Sequence, residues 1–277
     1  MHITCLMRVP GDWNKVQVLF NSCIVVLVYT IGYRIIYLLI LCIAPLSVIA
    51  LQDLYKTLNQ PPQLTGWRLD GGDPCLEWIG VSCIYNGVVY LNLRGLNLTG
   101  YISPKIRYLY NLQLFDISSN TIGGEIPHVL PPNATDINMA YNYLSHNIPP
   151  SLHGMKSLRH LNLSHNLLSG PIGNVFTGLQ NLREMDLSYN NFTGDLPSSF
   201  ESLTNLTGLY LQNNRFTGSV SYLAELPLID LNIECNYFSG IIPRHFQSIP
   251  NLWIGGNSLH LPGHNHPPHS GKAGKCH

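Results

Sequence analysis

The sequence predicts an α/β solenoid in which short parallel strands stack into one sheet on a concave face. Segments of the form Leu-x-x-Leu-x-Leu-x-x-Asn recur along the chain, and leucines alternate with other residues inside them. Their final asparagines follow one another at steps of 22, 24, 24, 24, 22 and 21 residues. This pattern at this period defines a leucine-rich repeat. Because one repeat cannot bury a core alone, neighbouring repeats must stack to form it.

Each segment predicts one strand. The clearest copies, LQLFDISSN, LRHLNLSHN, LREMDLSYN and LTGLYLQNN, begin at Leu112, Leu158, Leu182 and Leu206. Side chains alternate across a strand, so Leu161 and Leu163 point into the stack while Asn162 faces solvent. The segment Val88–Leu96 is an earlier copy that carries leucine at the asparagine position. We count seven repeats and a partial eighth.

The asparagine that ends each segment is predicted to be structural. Its amide carries both donors and an acceptor, so it can satisfy backbone polar groups where the chain bends away inside the stack. This predicted ladder comprises Asn120, Asn142, Asn166, Asn190, Asn214 and Asn236, with Asn257 in the last copy.

The second half of several repeats carries the motif Gly-x-Ile/Leu-Pro, as in residues 194–197 and 240–243. Glycine and proline together predict a turn. Apolar pairs such as Phe200 with Leu203 and Phe246 with Ile249 follow, and they predict a short helical turn that closes the outer, convex side.

The ends of the stack require shielding from water. Residues 51–87 fit an amino-terminal cap, with a helix over about residues 51–58 and a tryptophan-containing loop. Cys75 and Cys83 stand at the two ends of this loop and predict a disulfide. The repeats then occupy residues 88–259, and residues 260–277 form a flexible tail rich in His, Pro and Gly.

Residues 16–51 are almost wholly apolar and predict contact with a membrane. The segment ends in small residues suited to signal cleavage near Ala50, which makes residues 1–50 a secretory signal. An uncleaved membrane anchor and a faulty gene start are the alternatives. Arg8 and Lys15 precede the apolar run and favour a cytosolic amino terminus, so the repeats would face the lumen or the cell exterior.

The composition excludes several functions. Fifteen basic and fifteen acidic residues cancel, and only 11% of the chain is charged, so it lacks the basic footprint that nucleic acid requires. Neither a nucleophile elbow nor a metal-binding helix is visible, and we expect no catalysis, no cofactor and no metal. The tail histidines have irregular spacing and no scaffold, which favours a linker over a metal site.

Five Asn-x-Ser/Thr sequons predict N-glycans in an oxidising compartment. They are Asn97, Asn133, Asn162, Asn191 and Asn205. Cys235 and Cys276 either pair with each other or remain free thiols.

The solvent-facing strand positions form the surface available to a partner. The predicted contact residues are Tyr141, His165, Glu184, Asp186, Tyr189 and Tyr210, within a ladder that also includes Asp116, Asn138, Gln212, Asp230 and Glu234. Aromatic side chains held rigidly are typical interface hot spots. The fifth position of each segment is often Asp or Asn for structural reasons, and we assign Asp116, Asp186 and Asp230 to it. Asn162 lies on the same face, where a glycan would obstruct binding.

Finer motifs suggest a family. The L-x-G-x-I-P element resembles plant-type repeats, which form a right-handed superhelix. The cap ALQDLYKTLNQPPQLTGW with GGDPCLEWIGVSC, the segments GGEIPHVLPPNATDINMAYNYLSHNIP and GSVSYLAELPLIDLNIECNYFSGIIP, and the end NLWIGGNSL resemble the extracellular part of the STRUBBELIG-receptor family. That resemblance implies a plant cell-surface receptor ectodomain, whereas the membrane span and kinase typical of such receptors are not visible after Leu51.

Two functions follow as expectations. The first is a non-catalytic ectodomain that binds a protein or peptide ligand and has receptor kinases as further partners. It would act as a truncated receptor, a decoy or a co-receptor. The second is a secreted inhibitor of a cell-wall-degrading hydrolase, because polygalacturonase-inhibiting proteins resemble this chain in repeat type. Those inhibitors have longer arrays and a carboxyl-terminal disulfide cap, which we expect to be absent from this chain.

Overall fold

The computed structural model describes residues 45–261, Cys276 and two short strands nearer the amino terminus. Most of the predicted targeting segment and of the predicted tail therefore lies outside the described residues. Within the described part of the chain, no helix combines the length and the apolar character needed to cross a membrane.

Among the residues that the structure describes, two α-helices and five 3₁₀ helices alternate with short strands of two to six residues. The α-helices are α1 Leu46–Thr57 and α2 Pro74–Glu77, and the 3₁₀ helices are Pro104–Tyr108, Pro150–Gly154, Ser198–Ser202, Ser221–Leu223 and Arg244–Ser248. The strands are β1 Ile24–Val25, β2 Ile40–Leu41, β3 Val81–Ile84, β4 Gly87–Asn92, β5 Leu114–Asp116, β6 Gly123–Glu125, β7 Asp136–Asn138, β8 Tyr143–His146, β9 His160–Asn162, β10 Leu167–Pro171, β11 Glu184–Asp186, β12 Asn191–Asp195, β13 Gly208–Tyr210, β14 Arg215–Thr217, β15 Asp230–Asn232, β16 Ser239–Ile241, β17 Asn251–Trp253 and β18 Ser258–His260.

The predicted strands form one nine-stranded sheet on the concave face of the solenoid. Its order is β17-β15-β13-β11-β9-β7-β5-β4-β3, and every pairing is parallel except that of β3 with β4. Equivalent repeat positions pair directly, as Met185 does with Leu161 on one side and Leu209 on the other. The predicted solenoid is therefore confirmed, with its repeats stacked in register on this face.

A second sheet stands where we predicted only turns. Strands β14-β12-β10-β8-β6 pair in parallel, as do β16 and β18. Here the register shifts, because Ser169, three residues after Asn166, pairs with Asn191, one residue after Asn190. The shift of two residues displaces each strand by about 6.6 Å relative to its neighbour. Equivalent repeat positions are therefore in register in the first sheet and staggered by two residues in the second.

Glycines in the second half of the repeats explain why the sequence indicates turns rather than this second sheet. Gly194 and Gly218 lie within or just beyond β-paired segments with φ values of 77° and 70°, a region that favours glycine. A β-carbon on Gly194 would lie 3.4 Å from the Pro171 side chain, and one on Gly218 would collide with the Asp195 carboxylate. Glycine thus makes room for the preceding repeat rather than for a turn.

The core runs the length of the stack and contains a row of phenylalanines. Phe192, Phe216 and Phe238 stack at centroid distances of 5.9 Å, and Phe176 meets Phe200 edge-on at 5.0 Å. All five rings are buried. The predicted helical turns are confirmed as 3₁₀ helices, which bury Phe200 and Phe246.

The ladder asparagines are buried or, at Asn190 and Asn257, half-buried within the stack. Asn166 Nδ2 donates to the carbonyls of Met139, Leu163 and Ser164 at 3.0, 3.1 and 3.1 Å. Its Oδ1 accepts the Leu144 amide at 2.9 Å. One side chain therefore satisfies polar backbone groups in its own repeat and in the preceding one. Asn120, Asn142, Asn190, Asn214, Asn236 and Asn257 are placed in the same way.

The cap closes the amino-terminal end of the core. Helix α1 begins at Leu46, five residues before the predicted start, and buries Ala50, Leu51 and Leu54. The predicted Cys75–Cys83 disulfide is present, and Trp67 packs on Trp78 at a centroid distance of 4.9 Å. The helix thus crosses the predicted boundary between residues 50 and 51.

A second disulfide joins Cys235 to Cys276 across 41 residues. This pairing settles the choice between a bond and free thiols, and it corrects the expectation that no carboxyl-terminal disulfide is present. The sequence spacing alone could not predict this bond, because a loop of that length does not determine whether the two cysteines come close enough to pair.

Candidate partner-binding surface

The third and fifth positions of each repeat segment project from the nine-stranded sheet, and we call this surface the strand face. Parallel pairing places Asp136, His160, Glu184, Gly208 and Asp230 in one column at the third position. This corrects the assignment of Asp230 to the fifth position, which Asn232 occupies beside Tyr210. The ladder position of Asn236 already implies this placement, since Asp230 lies six residues before Asn236 as Glu184 lies six before Asn190.

Most side chains at the fifth position lie on the strand face and also accept a backbone hydrogen bond from the residue two positions later. Asp186 Oδ1 accepts the Ser188 amide at 2.9 Å, and Asn162 Oδ1 accepts the Ser164 amide at 3.0 Å. The same bond recurs at Asn92, Asp116, Asn138 and Asn232. Such Asx turns fix the side chain locally. Asp186 is half-buried, and among the described residues its Oδ2 atom accepts no hydrogen bond, whereas at Tyr210 an aromatic ring takes the place of the Asx turn.

A depression of about 250 Å³ lies on the strand face. It is lined by Leu114, Asp116, Asp136, Ile137, Asn138, His160, Leu161, Asn162, Glu184 and Asp186. At one side, His160 Nδ1 lies 2.5 Å from Asp136 Oδ1. The depression therefore combines four carboxylates, one histidine and two side-chain amides with the half-buried Leu114.

Negative charge dominates the strand face. Burial, and then the carboxylates of Asp230, Glu184 and Asp186, raises the pKa of Tyr210 above its ordinary value. Among residues 45–261, neither Glu184 nor Asp186 has a basic group within 4.0 Å, although the Asn251 amide donates to Asp230 at 2.7 Å. Among residues 45–261, Glu184 and Asp186 thus take part in no ion pair.

The aromatic row Tyr141, His165 and Tyr189 runs beside the strand face at position eight. Each ring centroid is 4.1 Å from the next, and adjacent rings are tilted by 11°. The backbone at all three residues is left-handed, with φ values of 55°, 53° and 53°. The Tyr141 and His165 amides each donate to a carbonyl of the following repeat at 3.0 Å. The backbone hydrogen bonds therefore fix the main chain of the row, and the stacking fixes its rings.

The aromatic row remains accessible. Tyr141 and Tyr189 are 55% and 46% exposed, and His165 is half-buried between them. Burial lowers the pKa of His165 below its ordinary value, and the charge of Asp186 opposes that shift. The row presents a mostly neutral aromatic edge next to the acidic depression.

The sequons lie in three different settings. Asn97 is exposed beyond the strand face, and Asn133 and Asn205 donate Nδ2 to the carbonyls of Tyr110 and Gln180. Asn191 begins β12 in the second sheet. Asn162 lines the depression and holds the Ser164 hydroxyl at 2.7 Å as well as the Ser164 amide. A glycan on Asn162 would cover the depression.

Sequence reasoning brought together Glu184, Asp186 and Tyr210 but missed Asp136 and His160. The missing signal was the repeat position itself, since both residues stand at the third position occupied by Glu184. Among the described residues, no group of three or more His, Cys, Asp or Glu side chains is arranged to hold a metal ion.

Two leucine-rich repeat family models match residues 173–216 and residues 111–132 with 157–179. The leucine-rich repeat N-terminal domain model matches residues 47–84, which contain most of α1 and both cap cysteines.

The chain is 64% identical over 218 residues to Protein STRUBBELIG-RECEPTOR FAMILY 2 of Arabidopsis thaliana, covering 78% of this chain and 30% of that protein. It is 51% identical over 230 residues to Protein STRUBBELIG-RECEPTOR FAMILY 5 of the same plant, covering 83% and 33%. The chain thus spans about a third of the length of these relatives.

Two solved structures share the fold. The crystal structure of PEPR1-AtPEP1 matches with a TM-score of 0.72 and 29% identity, covering 76% of this chain and 31% of that one. The ectodomain of the receptor kinase GASSHO1/SCHENGEN3 from Arabidopsis thaliana, in complex with CASPARIAN STRIP INTEGRITY FACTOR 2, matches with a TM-score of 0.68 and 32% identity, covering 77% and 26%. With its repeat motif, capped two-sheet solenoid and close relatives, the chain is a plant-type leucine-rich repeat protein homologous to the STRUBBELIG-receptor family.

Proposed function

We propose that this chain is a non-catalytic extracellular ectodomain that binds a peptide or protein partner in plant cell-surface signalling. Its fold is that of leucine-rich repeat receptor ectodomains, one of which is solved in complex with CASPARIAN STRIP INTEGRITY FACTOR 2. Two disulfides and five sequons support exposure to the secretory pathway. Residues 16–51 would supply the signal or the membrane anchor.

The observation that carries this proposal is the aromatic row beside the depression. Its rings are stacked on one another and its backbone amides are bonded to the next repeat, so little conformational freedom is left to lose when a partner binds. Tyrosine edges and hydroxyls in such a setting offer both apolar contact and hydrogen bonding. A binding surface with these properties is prepared before its partner arrives.

The test uses a phage-displayed library of random twelve-residue peptides, panned against the secreted ectodomain. We expect the Tyr141→Ala and Tyr189→Ala variants to bind the enriched peptides at least tenfold more weakly than the native chain, because hot-spot aromatics dominate small interfaces. Tyr85→Ala is the matched control, since Tyr85 is also exposed and left-handed but lies in the turn between β3 and β4. Absence of enriched peptides, or equal binding by all variants, would contradict the proposal.

The finer roles of truncated receptor, decoy and co-receptor differ in their partners. A decoy holds the ligand alone, whereas a co-receptor also joins a receptor kinase. Co-purification of receptor kinases with the ectodomain from plant membranes, only when an enriched peptide is added, supports the co-receptor role. Peptide binding without any recovered kinase supports the decoy role.

The alternative, an inhibitor of a cell-wall-degrading hydrolase, gains one specific observation. The Cys235–Cys276 disulfide supplies the carboxyl-terminal bond whose expected absence counted against it. A polygalacturonase assay with increasing amounts of ectodomain separates the two functions. Stoichiometric inhibition would favour the inhibitor, and undiminished hydrolysis would leave the receptor-type proposal standing.

A further inference from the structure

We propose that the strand face selects partners carrying a basic side chain, and that a Lys or Arg of the bound peptide enters the depression beside Glu184 and Asp186. This inference rests on the proposed function and names the chemistry of the ligand. It is carried by the geometry of the depression and by charge complementarity along the sheet.

The charge of the strand face is one-sided. The third and fifth positions of the paired strands carry Asp116, Asp136, Glu184, Asp186 and Asp230, and none of these positions carries Lys or Arg. The chain as a whole has no formal net charge. Negative charge is therefore concentrated on this surface, which attracts cationic ligands.

The carboxylates within the depression differ in how they are engaged. Asp136 is bonded to His160, and Asp186 uses Oδ1 in its Asx turn. Glu184 and the outer oxygen of Asp186 come from the third and fifth positions of the same strand, about 6.6 Å apart along β11. Both side chains project from the same face of the sheet. A guanidinium or ammonium group between them would contact both charges at once.

An acidic ligand is disfavoured by the same charges. Arg159 and Arg183 stand at the second position, at the start of their strands and outside the depression. An acidic peptide over the depression would face four carboxylates and gain only His160, which already contacts Asp136. One repeat further along, burial and then the charges of Asp230, Glu184 and Asp186 raise the pKa of Tyr210 above its ordinary value.

The test compares two charge-neutralised forms of the full chain. In Glu184→Gln/Asp186→Asn both carboxylates become amides of the same size. Asn at position 186 can retain the Asx turn, because Asn162 accepts the equivalent amide bond in the preceding repeat at 3.0 Å. The control Glu201→Gln/Glu225→Gln removes the same charge from exposed positions away from the strand face.

Phage-displayed twelve-residue peptides are panned on the native chain and on both variants. We expect Lys or Arg to be enriched at one peptide position on the native chain and on the control, and this enrichment to vanish on Glu184→Gln/Asp186→Asn. An enriched synthetic peptide should bind this variant about tenfold more weakly, and should lose a similar factor when its Arg is replaced by citrulline.

The citrulline peptide tests the inference without altering the protein, so a folding defect in the variant cannot mimic the result. Enriched peptides without a basic position, or a citrulline peptide that binds as tightly as its parent, would overturn the inference while leaving peptide binding established. Failure to enrich any peptide would overturn the proposed function and this inference together.

Discussion

Two neighbouring positions of the repeat, eight and nine, behave in opposite ways. Position nine is Asn in every repeat from Asn120 to Asn257 and its amide is bonded within the stack. Position eight, one residue earlier, is always left-handed yet varies in type: Gly95, Ser119, Tyr141, His165, Tyr189, Asn213, Cys235 and Gly256. Position nine therefore builds the fold, whereas position eight presents variable side chains at a fixed place.

The difference shows where function can reside in a repeat protein. A position whose polar groups satisfy the backbone cannot vary without leaving buried groups unpaired. A position whose backbone is held by main-chain bonds, such as Tyr141 donating to the Ser164 carbonyl at 3.0 Å, leaves its side chain free to be selected for binding.

Asn166→Ala should have the largest effect, because it tests position nine directly. The substitution removes three donated bonds and leaves the buried Leu144 amide without its acceptor. We expect the free energy of unfolding, measured by urea titration, to fall by about 3 kcal/mol or more.

The matched control for that loss is Asn213→Ala at position eight. Ala in a left-handed backbone costs about 1 kcal/mol, and Asn213 has φ 56°. Equal losses for the two variants would break the comparison between positions eight and nine.

The next substitution, Gly218→Ala, tests a second left-handed position. Position eight accepts many side chains, whereas we expect that Gly218, next to the second sheet, does not. Gly218 and Gly240 both have positive φ, but only at Gly218 would a β-carbon collide with a neighbour, the Asp195 carboxylate. We expect Gly218→Ala to lower the free energy of unfolding by about 2 kcal/mol, through strain and contact together.

Gly240→Ala isolates the strain, because nothing lies within 4 Å of the added carbon. It should cost about 1 kcal/mol in the same urea titration. A larger loss of unfolding free energy for Gly240→Ala than for Gly218→Ala would contradict the claim that contact with the preceding repeat excludes side chains at Gly218.

The smallest effect concerns the charge of the aromatic row. Burial lowers the pKa of His165, so the folded protein binds a proton there less readily than the unfolded chain. The stability associated with neutral His165 is present above pH 6.5, the ordinary value, and is lost as the pH falls through the lower folded value.

His165→Tyr should therefore reduce the loss of unfolding temperature between about pH 7 and pH 5. The control His128→Tyr changes an exposed histidine away from the row and should leave the native pH profile unchanged. A profile that is the same for the native chain and both variants would show that the row does not disfavour protonation.

Much of this architecture could be predicted from the sequence, because the same pattern of residues recurs in successive repeats. The strands around Leu161 and Leu209 and the cap disulfide each depend on local signals. The second sheet could not be predicted in that way. Its strands contain glycines such as Gly194 that indicate a turn locally, and the space they provide is filled only by the preceding repeat.

The candidate site was predictable in part for a related reason. Tyr141, His165 and Tyr189 share one repeat position, so the sequence alone aligned them. Their stacking at 4.1 Å, and the contact of His160 with Asp136, depend on the distance and register between neighbouring strands. The strand register determines which side chains of different repeats are neighbours. It places Asp230 in the same column as Glu184.

The separation of folding from binding is tested most directly by the double variant Tyr141→Ala/Tyr189→Ala. Its unfolding temperature and its affinity for a peptide enriched on the native chain are measured on the same sample. We predict a shift of only a few degrees and an affinity at least tenfold weaker. Affinity equal to that of the native chain, or a collapse of the fold that accounts for the lost binding, would contradict the account.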